Sequence, residues 1–375
     1  MKWLKCKTIL YRFDKNTNTR FDLKYKFISS FNMNDGFYVR TNVIKDGIET
    51  SEEPFMASYP HLIDVGVMGH CIHGKSGLCV KAGIQCYQNG LNVQEENMSV
   101  KNYERICQES TGLIDQIALG GRGDPDCHEH FEDLLKISRK YNIVPNYTTS
   151  GLLMNEEKAQ LSKEYCGAVA VSWYRSEYTL NAIKCLIKHQ VKTNIHYVVD
   201  RNSIEEAIER LKNNSFPEGI NAVIFLLFKP IGQGDISNVV KNDDLRLKEF
   251  FDCVNLYHPY KVGFDSCFVP GILNYMTTVD LDSIDTCEGG RFSMYITPNM
   301  KAMPCSFDQK EKYVFDISDK DINDAWNSKE FDDFRDKMRN SCQSCLKRTS
   351  CYGGCPLVKE IVICKEKGEP NENKM

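Results

Sequence analysis

No stretch of this chain approaches the roughly 20 consecutive apolar residues that a membrane-crossing helix needs. Its opening residues, MKWLKCKTIL, have neither the apolar core nor the cleavage site of a secretory signal. Nor is there an excess of one charge: 47 Lys and Arg stand against 51 Asp and Glu, for a formal net charge of −4 and a pI near 6.1. Both signs are interspersed, so there is no basic field to attract nucleic acid. We therefore expect a cytoplasmic protein without a membrane or nucleic-acid partner. What the chain has in quantity is cysteine, 17 in 375 residues. In a reducing compartment these thiols argue against a disulfide framework and for metal or iron–sulfur ligation. The length accommodates one large α/β domain and a smaller one.

The thiols concentrate in two places. Residues 61–90 read HLIDVGVMGHCIHGKSGLCVKAGIQCYQNG, an apolar run that ends in a glycine-rich loop carrying Cys71, Cys79 and Cys86. Loops leaving the C-terminal ends of strands are where α/β folds place their sites, and Gly69, Gly74, Gly77 and Gly83 allow this one to turn tightly. Three thiolates on one loop can hold three irons of a 4Fe-4S cluster and leave the fourth open to a small molecule. With His70 or His73 they could instead complete a zinc site. The second concentration is Cys342-x2-Cys345-x5-Cys351-x3-Cys355, with Cys364 after it and Cys287 and Cys305 before it. That is more thiols than one zinc ion can use, although two zinc sites remain open.

Between them, strand-like runs at 61–68, 114–119, 143–148, 168–173, 192–199 and 222–228 alternate with helical patterns, the signature of parallel βα units. Ser203 with Glu206 reads as a capping box, and Asn155 as the cap of a helix through residue 161. Six units make a partial (β/α)6 TIM-like barrel with one side open for a large substrate. Residues 1–60 carry short β-rich runs at 8–13 and 37–43, with turns at Asn16-Thr17-Asn18 and Asn34-Asp35-Gly36. They predict one or two hairpins that shield a sheet edge or the barrel opening. The expected organisation is an α/β chain with a β-rich extension (1–60), a partial barrel (61–258), and a bridge with a C-terminal Fe–S cluster domain (259–375).

The strand ends carry more. The second closes in Gly120-Gly121-Arg122-Gly123-Asp124-Pro125 and the third in Tyr147-Thr148-Thr149-Ser150-Gly151-Leu152-Leu153. Val171-Ser172 ends the fourth, and Phe228-Lys229-Pro230-Ile231-Gly232-Gln233-Gly234 the sixth. With the cysteine loop, this set resembles the radical SAM family, and the C-terminal run resembles the SPASM domain that many of its members append. Three departures stand out. The loop is spaced C-x7-C-x6-C where the family has C-x3-C-x2-C, Asp124 replaces a glutamate, and the early pair Cys287 and Cys305 is x17 apart with Met300 where relatives have glycine.

The resemblance implies three 4Fe-4S clusters and S-adenosyl-L-methionine (SAM). Cys71, Cys79 and Cys86 would hold the SAM-binding cluster, and Gly120, Gly121, Gly123 and Asp124 the methionine end of SAM. Hydroxyls of Thr148, Ser150 and Ser172 would meet its ribose or carboxylate, with Asn194 and His196 directed to the same space. Cys342, Cys345, Cys351 and Cys364 would bind one auxiliary cluster. Cys287, Cys305 and Cys355 would bind the other, which either keeps an open iron or takes Cys267 as its fourth ligand. One-electron reduction by a flavodoxin or ferredoxin would cleave SAM to a 5′-deoxyadenosyl radical, which abstracts hydrogen from a peptide or protein substrate. Crosslinking of a ribosomally made peptide is the leading expectation. Sulfatase-maturase-type oxidation of a protein residue, or a non-enzymatic zinc or Fe–S electron-transfer protein, are the alternatives. No catalytic acid or base is identified.

Overall fold

The computed structural model describes residues 3–364. A ten-stranded sheet carries the molecule, in the order Lys261–Phe264, Ala222–Leu227, Thr193–Val199, Val169–Ser172, Val144–Thr149, Gln116–Gly121, Leu62–Met68, Ser293–Ile296, Lys301–Met303 and Phe315–Asp316. Neighbours are parallel from the first edge as far as Ser293–Ile296 and antiparallel beyond it. All six expected strands are present and side by side in a sheet that does not close, the partial barrel anticipated from the sequence. It also runs on past residue 258. The short strands Lys261–Phe264 and Ser293–Ile296 add to its two sides and weld the C-terminal segment to the barrel.

Strand alternation sorts side chains between two faces. On Leu62–Met68, Ile63, Val65 and Val67 are fully buried in a core shared with Tyr103 and Ile106 of helix Val100–Glu109 and with Leu134 and Leu135 of helix Phe131–Lys140. Burial of each such aliphatic side chain contributes ~1.5–3 kcal/mol. Asp64 and Gly66 alternate with them and face the concave side, where the tyrosine ring of Tyr295 lies over Gly66 so closely that a Cβ there would sit 2.3 Å from its hydroxyl.

Asn155 caps helix Glu156–Tyr165 as expected, accepting the Lys158 N–H at 2.9 Å. The expected capping box at Ser203 is absent. Ser203 Oγ accepts from Asp200 N–H and donates to the Val198 carbonyl, while Glu206 is drawn to Arg175 and Arg210. Charge-assisted bonds to two guanidinium groups outcompete one neutral backbone N–H.

The N-terminal extension is larger than one or two hairpins: five antiparallel strands, Leu4–Cys6, Ile9–Asp14, Thr17–Asp22, Phe27–Asn32 and Tyr38–Arg40. The turn at 34–36 joins the last two, but Thr17 and Asn18 already lie in a strand. Of the three added strands, Leu4–Cys6 is only three residues long, and the other two carry many polar residues (TNTRFD and FISSFN), which hides their alternation. Arg20 and Asn18 project from this sheet to the barrel. Arg20 pairs with buried Asp115 and donates to the Gly112 carbonyl, and Asn18 donates to Asp115 at 3.0 Å. At the other end, buried Arg335 donates to the carbonyls of Gly290 and Trp326. Arg291 donates to those of Phe55 and Cys287, so the 55–57 linker and the C-terminal domain share one set of buried guanidinium bonds.

Candidate active site and cysteine clusters

Cys71 directly follows the first barrel strand, Cys79 lies on the short helix Leu78–Lys81, and Cys86 sits in irregular backbone beyond it. The three thiols face one another, since Cys79 feels the charges of Cys71 and Cys86, and Cys71 that of Cys86. Burial pushes Cys71 up and Cys79 up to about 12. Burial pushes Cys107 and Cys166 up to the same level, so what distinguishes this group is that three cysteines of one loop meet in one place.

Two barrel loops clamp the nest. Behind the second strand, Gly123 lies against the loop so closely that a Cβ would come within 2.6 Å of the His70 carbonyl. Behind the sixth, Gly232 adopts φ +65°, where a Cβ would stand 2.4 Å from the Tyr87 carbonyl, and Gln233 N–H donates to the Cys86 carbonyl at 3.0 Å. Gly121 is likewise filled by first-strand backbone. Gly120 differs: a Cβ there would meet nothing within 4 Å, so open space lies beside the backbone at the end of the second strand.

Asp124 and Ser150, both expected to touch SAM, bind each other. Asp124 accepts from the Ser150 N–H at 2.9 Å and from its hydroxyl, and His73 Nε2 reaches Ser150 Oγ and stands 3.3 Å from the Asp124 carboxylate. The cluster loop, the second strand and the third are thereby locked at one point. The other nitrogen of His73, Nδ1, is buried without a hydrogen-bond partner among the described residues. Thr148 Oγ1 lies 3.4 Å from His196 Nδ1 on the concave side, and Ser172 is in register with His196. Burial lowers the His196 imidazole to about 4. Asn194 lies two residues nearer the N-terminal end of its strand and is held by Asn221 at 2.7 Å, apart from the others.

Asp64 was not singled out from the sequence. Its carboxyl makes no hydrogen bond or ion pair among the described residues, and burial alone pushes it up to about 7. Tyr87, Tyr295 and Glu288 share its surroundings. A lone acid in the apolar run LIDVGVM was the available signal. His73 was considered only as a zinc ligand, and its position two residues after Cys71 in the loop gave no hint of its contact with the third strand.

The C-terminal thiols form two groups. Cys267 feels Cys355, Cys287 feels Cys267, and Cys305 feels both Cys287 and Cys267. Cys342 feels Cys345 and Cys364, and Cys351 feels Cys364 and Cys342. Cys267 thus joins the group that the sequence left one ligand short. Cys287 is pushed up to about 12 by burial and Cys305 higher still, yet all four inner thiols keep intermediate accessible surface. In the outer group Cys351 is pushed up to about 11 and Cys342 is exposed.

A family model of the SPASM iron–sulfur cluster-binding domain matches residues 287–347. No protein of curated function matches the chain in sequence. Among solved structures, Streptococcus suis SuiB bound to S-adenosylmethionine is similar with a TM-score of 0.63 at 16% identity, over 93% of this chain and 95% of SuiB. SuiB bound to its precursor peptide SuiA gives 0.64 at 14% identity, over 97% and 100%. Native anSMEcpe with bound AdoMet gives 0.56 at 19% identity, over 79% and 89%. The resemblance to the radical SAM architecture with a SPASM domain therefore holds for the fold and for the segment 287–347. Among the described residues no helix is long and apolar enough to cross a membrane.

Proposed function

We propose that this protein is a radical SAM enzyme that modifies a peptide, forming a crosslink by hydrogen abstraction. The observation that carries the reading is the thiol nest at the end of the first strand, set beside the open space at Gly120. Cys71, Cys79 and Cys86 fit a 4Fe-4S cluster with one open iron, and the backbone at Gly120 fits the methionine end of SAM. When bound, the two supply a carbon radical able to take hydrogen from an unactivated C–H bond.

The chain's own residues do the rest. Asp124, Ser150 and His73 fix the loop to the second and third strands, so that the nest and the SAM pocket keep one geometry. Their contribution is positional; in place of the direct SAM contact expected of Asp124 and Ser150, we assign them the support of the residues that make it. Thr148, His196 and Ser172 line the wall beyond. Inner and outer thiol groups would each hold an auxiliary 4Fe-4S cluster, giving three in all, with a flavodoxin or ferredoxin as electron donor.

A peptide substrate is supported by the open-sided sheet and by the precursor peptide bound to SuiB, the solved structure that this chain matches over 97% of its length. The match to an iron–sulfur domain model speaks against the zinc alternative. Anaerobic reconstitution with iron and sulfide, followed by dithionite and SAM, should release 5′-deoxyadenosine. A colourless zinc-loaded protein that leaves SAM intact would overturn the reading.

A further inference from the structure

The loop after the sixth strand touches both thiol systems, and one side chain on it has no part in what has been described. Lys229 is only 6% exposed. Its ammonium donates to Asp265 Oδ2 at 2.7 Å and to the Leu227 carbonyl at 2.9 Å, which leaves one of a lysine's three N–H groups over. It lies 4.5 Å from the centre of the Phe307 ring. Asp265 opens the turn Ser266–Phe268 that presents Cys267, and Phe307 follows Cys305 by two residues. Phe307 also packs on Tyr87, next to Cys86, with ring centres 4.4 Å apart.

We propose that Lys229 is a positioning residue that sets the reduction potential of the cluster held by Cys267, Cys287, Cys305 and Cys355. The inference rests on the assignment of that thiol group to a cluster. Burying an ammonium is costly unless something nearby holds its charge. Asp265 is one partner; the thiols are the other. The fields of Cys267 and Cys355 act on Lys229, and Lys229 in turn acts on Cys267 more strongly than Asp265 does, and on Cys305 as well. A cluster with four thiolate ligands carries net negative charge, and accepting an electron adds to it. A buried cation tied to the turn that presents Cys267 favours the reduced form. Asp265, on the same side, opposes it.

A structural tie and an electrostatic one give different results. On the reconstituted full chain, a redox titration followed by electron paramagnetic resonance reads each cluster, and Cys267→Ala identifies the signal that belongs to the inner group. Lys229→Gln should lower the reduced-to-oxidised ratio of that signal about tenfold at fixed potential, 59 mV for a one-electron couple. Asp265→Asn should move it the opposite way, and Lys229→Arg should hold it near wild type. Full iron with an unmoved potential in Lys229→Gln, or shifts of the same sign in both neutral variants, would overturn the inference. If Lys229→Gln loses the cluster, the sign in Asp265→Asn decides. Should Cys267→Ala retain all iron and every signal, the assignment of the thiol group fails, and the inference with it.

Discussion

The inner and outer thiol groups of the C-terminal third have the same number of sulfurs and different surroundings. The inner one is wedged between the barrel and the domain, with Lys229 and Arg291 acting on its thiols. Its members come from four separate places in the sequence, 267, 287, 305 and 355. The outer one comes from a single run of 23 residues, 342–364, with Cys342 at the surface and Arg348 as its neighbouring cation. The inner group is thus assembled from distant segments, with its nearest cation, Lys229, on a barrel loop. The outer group is local in sequence and reaches the surface at Cys342.

The sharpest way to break this comparison is to remove one ligand from each group. Cys267→Ala and Cys364→Ala should each lower the iron content by about four atoms per chain and abolish different resonance signals. Loss of the same signal in both would merge the groups into one. Next in size is access. A water-soluble iron chelator should strip the outer cluster well before the inner one, and equal rates would show that the enclosure of Cys287 and Cys305 does not protect the iron.

A smaller effect contrasts the substrate wall with both thiol groups. Asp64 is held near 7 in the folded protein against an ordinary carboxyl near 3.9 when unfolded. Between those values the folded state binds more protons, so stability falls as pH rises through the window, by up to ~4 kcal/mol and less where water enters the barrel. Asp64→Asn should therefore raise the melting temperature at pH 8 and leave it nearly unchanged at pH 4. The same rise at both pH values would mean that packing, rather than charge, limits stability there.

Strands and the outer thiol run were legible because their signals are local. Apolar runs of the right length mark 62–68 or 222–227, and the spacing of 342–355 lies within 14 residues. The short strands Lys261–Phe264 and Ser293–Ile296 were not, since four residues carry too little alternation to stand out from loop. For the site, the residues that touch across strands were out of reach. Asp124 and Ser150 were both identified, yet the bond between them depends on how the ends of the second and third strands sit side by side. Asn194 lies two residues before His196 on the fifth strand and bonds Asn221, a pairing across strands that alternation alone does not reveal. The membership of Cys267 in the inner group was visible only as a shortage of thiols near Cys287.

The account stands or falls on the loop at the end of the first strand. Replacing Cys71, Cys79 and Cys86 together by alanine, then measuring iron and 5′-deoxyadenosine on the same anaerobic sample, tests it most directly. The prediction is that SAM cleavage disappears while both auxiliary signals and about two thirds of the iron remain. Release of 5′-deoxyadenosine by the triple variant would contradict it.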